Sequence, residues 1–362
     1  MVYSERQASV LAAARKLAPV QAVLVTHPPD VRYLSGFTGS NAALCITAKA
    51  AVLITDGRYT TQARQECVGT RVIIASRAVP DEACIWLEKS RVTLCGYDAG
   101  ITTVNALERM RKGISGKLRR KFFFPLAQTA AGLREIKERS ELSQQQKAAN
   151  LGCKVFEQML GVIAPGMREI EVAAELEYRA RSLGAEGMSF DTIVASGPRS
   201  ALPHGRASMA RLPRKGFVTL DFGVILGGYC SDMTRTVHLG RAGDAERKTY
   251  DAVLAAELAA IEAVHAGASC GEVDAAARDL LYKAKLAKWF THSTGHGVGL
   301  EIHEGPRIAR GQQQKLLPGM VITIEPGVYL PGKFGIRIED MVEVTRSGCR
   351  IMTPAPKSWI EL

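Results

Sequence analysis

Hydrophobic and polar positions divide this chain into two stretches of different rhythm. In the first third, short apolar runs alternate with helical patterns. Residues 1–20 set Glu5, Arg6, Arg15 and Lys16 among alanines in the spacing of an amphipathic helix. Residues 20–26 and 43–55 read as strands, residues 62–66 open a helix, and residues 72–75 and 92–97 read as short strands. Helix and strand in alternation predict an α/β domain. Residues 125–132 read as a boundary. Beyond it the elements come in blocks. Residues 133–163 predict a long amphipathic helix rich in Glu, Lys and Gln, closed by Ala164-Pro165-Gly166, and residues 169–183 a second helix that stops at Gly184. Strands follow near 192–195 and 217–224, then helices over 244–265 and 273–287, then a strand-rich remainder. Blocks of this kind predict an α+β domain, and the division expected is 1–130 and 131–362. Two helices precede each of two turn-centred strand pairs, a weak internal repeat.

Those strand pairs carry acids where apolar residues belong. Asp221 follows Val218-Thr219-Leu220, Glu325 follows Val321-Ile322-Thr323-Ile324, and Glu339 follows Ile336-Arg337-Ile338. A carboxylate is costly to bury alone and needs a cation or strong hydrogen bonds. Asp221 and Asp232 are equidistant from a turn centred between Leu226 and Gly227, and Glu325 and Glu339 are equidistant from Gly332. Two hairpins would therefore each present an opposed acid pair. With His296 nearby, the acids Asp221, Asp232, Glu325 and Glu339 form a candidate metal cluster.

The segment from Thr291 to His303 holds His292, His296 and His303 among three glycines. Ser293 stands where a zincin helix would carry its catalytic glutamate, so that motif is excluded. Phosphate binding, the rival use of glycine-rich backbone, lacks a helix start or a Walker lysine here. The reading is one ligand, His296, and two contacts to substrate or transition state. His204 follows a Ser/Gly/Pro-rich loop, where functional residues concentrate. Arg337 lies two residues from Glu339 and shares its strand face. Arg307 follows the histidine segment and has the fork geometry to capture a carboxylate.

A chain of 362 residues is ample for a sizeable core. It has no apolar run long enough for a membrane span, and residues 1–20 lack the apolar stretch of a secretory signal. Eight scattered cysteines without a C-x-x-C pair suit reduced thiols in a cytoplasmic protein. The formal charge of +11 raises the question of an acidic partner. The densest basic run is Arg109-Met110-Arg111-Lys112, then Lys117 and Arg119-Arg120-Lys121 before Phe122-Phe123-Phe124. It reads as a solvated helix end leading into a buried strand. No nucleic-acid motif accompanies it.

Seven ordered blocks make these motifs resemble the metallopeptidase family of aminopeptidase P, prolidase and methionine aminopeptidase. They are Ser189 to Gly197, Ala201 to Gly205, Leu220 to Gly223, Ser231 to Thr236, the His296 segment, Ile324-Glu325-Pro326-Gly327 and Arg337-Ile338-Glu339-Asp340. Ser35 to Ser40 and Thr55 to Tyr59 resemble the N-terminal domain of aminopeptidase P, which methionine aminopeptidase lacks. The resemblance implies a pita-bread catalytic domain preceded by a smaller creatinase-like α/β domain. It implies two divalent metal ions per subunit: Asp232 and Glu339 bridge them, Asp221 completes one site, and His296 with Glu325 completes the other. An oxygen-rich donor set favours Mn²⁺, with Co²⁺ or Zn²⁺ as alternatives.

The activity expected is an Xaa-Pro aminopeptidase, acting on peptides with proline second. A dipeptidase is the alternative, and a non-catalytic binding protein the remoter one. In that scheme Glu325 is the general acid/base, His303 stabilises the oxyanion, and His204 and His292 position substrate. Arg337 holds the acids or contacts substrate, and Arg307 would hold a dipeptide's carboxylate. The resemblance further implies a homodimer or higher oligomer.

Overall fold

The computed structural model describes residues 3–127 and 129–362. Met1, Val2 and Gln128, which fall in the expected first helix and the expected boundary, lie outside the described residues, as does the side chain of Lys117 in the basic run. The chain divides into two compact units, Met1–Arg134 and Glu135–Leu362.

The first unit is built on one six-stranded sheet. In spatial order its strands are Arg71–Ile74, Ala51–Thr55, Ala42–Thr47, Ala22–Val25, Cys95–Asp98 and Phe123–Leu126. The expected strand over 43–55 is a hairpin of two. Lys49 and Ala50 donate their backbone N–H groups to the Thr47 hydroxyl, a side-chain turn that competes with continued extension. Phe122 and Phe123 are buried, so the basic run does lead into a core strand.

In the second unit the long helix expected over 133–163 is broken. A short helix, Thr129–Arg134, ends in the first unit, and the helix Arg139–Met159 starts afresh. Between them, Lys137 donates its backbone N–H to Gly319, and Ile136 bridges Met320. An isolated bridge to the residues just before the strand Val321–Ile324 thus overrides helical periodicity. The helices Glu169–Ser182, Asp244–Glu262 and Cys270–Lys283 follow. The last begins three residues earlier than expected because Ser269 and Glu272 form a capping box.

Two sheets carry the chemistry. One orders Met233–Leu239, Gly216–Phe222 and Ile193–Ser196. The other orders Glu304–Ile308, Gly295–Gly297, Val321–Ile324, Asp340–Val344 and Cys349–Ile351, with the hairpin Gly327–Leu330/Phe334–Arg337 as a separate ladder. Helices Arg139–Met159 and Glu169–Ser182 share one apolar core with the first sheet, and helices Asp244–Glu262 and Cys270–Lys283 share another with the second. The weak repeat in the sequence is therefore a repeat of two helices and a sheet, the α+β pita-bread arrangement.

Candidate metal centre and catalytic cleft

Each hairpin brings its acids together, but not in the same way. In the first, Thr234 pairs with Asp221, and Met233 with Phe222. Asp232 therefore stands two places past Asp221's partner, not opposite Asp221 as equal spacing from Leu226/Gly227 predicts. The cause is the turn. Gly227 and Gly228 have φ of 57° and 78°, the two positive values of a two-residue type I′ turn, which moves its centre one residue on. An offset of two preserves the strand face, and diagonal neighbours stay within reach. Asp221 and Asp232 accordingly line one cleft. The second hairpin has the expected register: Ile324 pairs with Asp340 and Gly327 with Arg337, which puts Glu325 and Glu339 at matching positions between two ladders.

His296 reaches the acids from the strand Gly295–Gly297. A Cβ on Gly295 would lie 1.8 Å from the Thr323 carbonyl oxygen, and one on Gly297 1.9 Å from that of Gly305. The glycines of this segment thus serve close strand approach, not a phosphate cradle. His296 Nδ1 donates to the Gly297 carbonyl at 3.0 Å, which leaves Nε2 with a lone pair. That nitrogen lies 3.6 Å from Asp232 Oδ2 and 3.5 Å from Glu325 Oε1. Burial lowers the imidazole pKa to about 4, so the ring is neutral near pH 7. A lone pair facing carboxylate oxygens is repulsive unless a cation or a carboxyl proton lies among them.

The carboxyls tell the same story. Burial, then Glu339, Asp221 and Glu325, raise Asp232 well above the usual range. Burial and Glu339 do the same to Glu325. Burial and Asp221 push Glu339 up to about 8. Crowded, desolvated acids do not all ionise unaided. Ligand atoms of Asp232, His296 and Glu339 lie within 4.8 Å of one another. Four carboxylates and one imidazole are the hard donor set of a divalent metal, and the residues present fit such a centre.

Hydrogen bonds hold the donors. The Thr234 hydroxyl donates to Glu339 Oε2 at 2.7 Å and accepts from Arg337 Nε at 3.1 Å. Arg337, 4 % exposed, also gives Nη2 to Asp221 Oδ2 at 2.5 Å and Nη1 to the Pro203 carbonyl and the Tyr329 hydroxyl. His292 donates Nδ1 to the Ser293 carbonyl, so its Nε2 accepts from Tyr329 at 2.9 Å. A single line of donors thus runs from Arg337 through Tyr329 to His292. The Thr323 hydroxyl accepts from the His296 backbone and lies 3.4 Å from Glu325 Oε1, to which it donates.

The five donors, Arg337 and His292 line one cleft of about 700 Å³, with Thr234, Thr323 and Tyr329 behind its wall. Its wall brings together every candidate from the sequence: His204, His292, His303, Arg307 and Arg337 with the five donors. The rings of His296 and His303 meet edge to face with centroids 4.4 Å apart. Arg307 pairs across the strands with His296, is exposed, and has no ion pair among the described residues. Sequence reasoning passed over Tyr329, Thr234 and Thr323. For Tyr329 a signal existed, since it lies four residues after Glu325 and so shares its strand parity.

The sequence matches "Metallopeptidase family M24" over residues 143–346 and "Creatinase/Prolidase N-terminal domain" over residues 6–136. It is 38% identical to an uncharacterized peptidase, YqhT, of Bacillus subtilis, over 95% of this chain and 96% of that protein. An Xaa-Pro dipeptidase from Bacillus anthracis superposes with a TM-score of 0.95 at 38% identity, over 99% of this chain and 100% of that one. An X-Pro aminopeptidase from Thermotoga maritima does so with a TM-score of 0.89 at 34% identity, over 96% and 99%.

Proposed function

Because the chain belongs to metallopeptidase family M24, we propose that it hydrolyses the bond between an N-terminal residue and a following proline, with dipeptides as substrates. One observation carries the hydrolytic reading: His296 Nε2 faces the carboxylates of Asp232 and Glu325 across gaps that suit a cation and not a hydrogen bond. Asp221, Asp232, His296, Glu325 and Glu339 would hold two divalent ions, Mn²⁺ above Co²⁺ or Zn²⁺. Bound there, such ions supply positive charge that polarises a carbonyl and acidifies water.

The chain's own residues do the rest. Glu325 takes the proton from the nucleophilic water and delivers it to the proline nitrogen. His303, whose pKa burial lowers, is a neutral ring that donates a hydrogen bond to the developing oxyanion. His204, exposed on the cleft wall, contacts the substrate backbone. Both ring nitrogens of His292 are engaged, and Arg337 is committed to Asp221, Thr234, Tyr329 and Pro203. These two therefore act by holding the acids and the wall in place.

Dipeptide preference is supported by Arg307, a free guanidinium on the wall beside His296, and by the likeness to the Bacillus anthracis dipeptidase. The aminopeptidase reading, first expected from sequence, is supported by a cleft of about 700 Å³, ample beyond two residues, and by the likeness to the Thermotoga maritima enzyme. Release of proline and of the first residue, measured with Mn²⁺ from Xaa-Pro and Xaa-Pro-Yaa, separates them. Cleavage of the dipeptide alone supports the clamp. Cleavage of the tripeptide means an open groove. Cleavage of neither would sink the peptidase reading. No helix among the described residues is long and apolar enough to cross a membrane. We read the protein as a cytoplasmic homodimer or higher oligomer.

A further inference from the structure

We propose that Lys357 and Asp340 are positioning residues for the metal centre, and that the segment 353–357 forms its rear support. The inference rests on the metallopeptidase reading above. Successive strand residues point to opposite faces. Glu339 faces the cleft, where it accepts from Thr234, so Asp340 faces away from it. Arg235, between Thr234 and Thr236, also turns away and meets Asp340, giving Nη2 to Oδ1 at 2.7 Å. Arg235 is 1 % exposed, and its remaining bonds go to backbone carbonyls. Nη1 joins Thr234 at 3.0 Å to Glu339 at 2.5 Å, Nη2 takes Thr353 and Ala355, and Nε takes Pro356. One guanidinium thus ties the strand of Thr234 to that of Glu339 and both to the segment behind them.

Lys357 closes the arrangement. Its Nζ donates to Asp340 Oδ2 at 2.5 Å and to Glu257 Oε1 at 2.7 Å. Glu257 lies on the helix Asp244–Glu262 with no exposed surface, and its Oε2 has no hydrogen-bond partner among the described residues. Two basic side chains and two carboxyls therefore meet directly behind Glu339, with Arg235, Asp340 and Glu257 buried and Lys357 partly so. Well-packed apolar residues would serve stability as well or better. What the quartet adds is a fixed backbone position for Glu339, on which the aim of its carboxylate depends.

The test is calorimetric titration of Mn²⁺ into protein freed of metal by chelation, with melting curves as the check on folding. Removing partners that orient a ligand costs roughly 10–100-fold in metal affinity, so Lys357→Met is expected to weaken Mn²⁺ binding by that factor while Lys357→Arg stays within about threefold of wild type. Should Lys357→Met fail to fold, the double variant Glu257→Gln/Lys357→Met leaves Asp340 paired to Arg235 and carries the same expectation. Wild-type Mn²⁺ affinity in either folded variant overturns the proposal. A wild-type protein that binds no Mn²⁺ would overturn the metal-centre reading instead.

Discussion

Glu339→Gln should make the metal-free protein more stable while destroying its activity. The side chain is 2 % exposed, and burial with Asp221 moves its pKa from 4.5 to about 8. Below pH 4.5 the carboxyl is protonated in both folded and unfolded chains, so folding carries no penalty. Between 4.5 and 8 the unfolded side chain ionises and the folded one does not, and the penalty grows with pH. At pH 7, with each pKa unit worth about 1.4 kcal/mol, the cost approaches about 3 kcal/mol. Glutamine keeps the oxygen that accepts from Thr234 and cannot ionise. For a unit of this size a gain of about 3 kcal/mol raises the melting temperature by roughly 6–12 °C. The assay is a melting curve of chelator-treated protein at pH 5 and pH 7. The gain should be largest at pH 7 and shrink to under about 1 kcal/mol at pH 5. Saturating Mn²⁺ should reverse the order, because only the wild type gains from binding. A variant less stable than wild type at pH 7 without metal, or a difference indifferent to pH, would refute the electrostatic account of the cleft.

Other perturbations probe separate parts of the site. Arg307→Ala should raise KM for an Xaa-Pro dipeptide by about 10–100-fold, the worth of a charged bidentate contact, and leave Xaa-Pro-Yaa turnover unaffected; equal effects on both would exclude a carboxylate clamp. Tyr329→Phe removes the hydroxyl between Arg337 and His292, and steady-state kinetics should show kcat lower by about 5–150-fold, the cost of roughly 1–3 kcal/mol for partners left unsatisfied. Gly295→Ala places a Cβ 1.8 Å from the Thr323 oxygen, so the strand pairing that carries His296 must shift, and both solubility and Mn²⁺ binding should fall together.

Legibility of the site followed its chemistry. Buried-looking acids stand out against Val, Ile and Leu because an unpaired carboxylate among them makes no physical sense. Glu325 and Glu339 could even be paired by counting from Gly332, since nothing interrupts the register between them. Counting failed for Asp221 and Asp232 because the turn places both Gly227 and Gly228 at positive φ, a choice that a Gly-Gly pair permits but does not announce. Thr234 and Tyr329 escaped notice since neither is anomalous in its own segment. Their roles exist only once Arg337 from another strand reaches both.

Local sequence alone determined the helices Glu169–Ser182 and Asp244–Glu262, the capping box at Ser269 and Glu272, and the anomaly of acids standing among apolar strand residues. Each depends on side-chain chemistry and on neighbours a few residues away. Tertiary structure alone decided that the helix over 133–163 breaks at Ile136, where a distant bridge to Met320 claims the backbone. It also decided that Arg307 faces His296 and that Lys357 reaches Asp340 and Glu257. The Ile136 and Glu257 contacts join residues far apart in the chain, the others depend on which strands pair, and their free energy appears only after the sheets have packed.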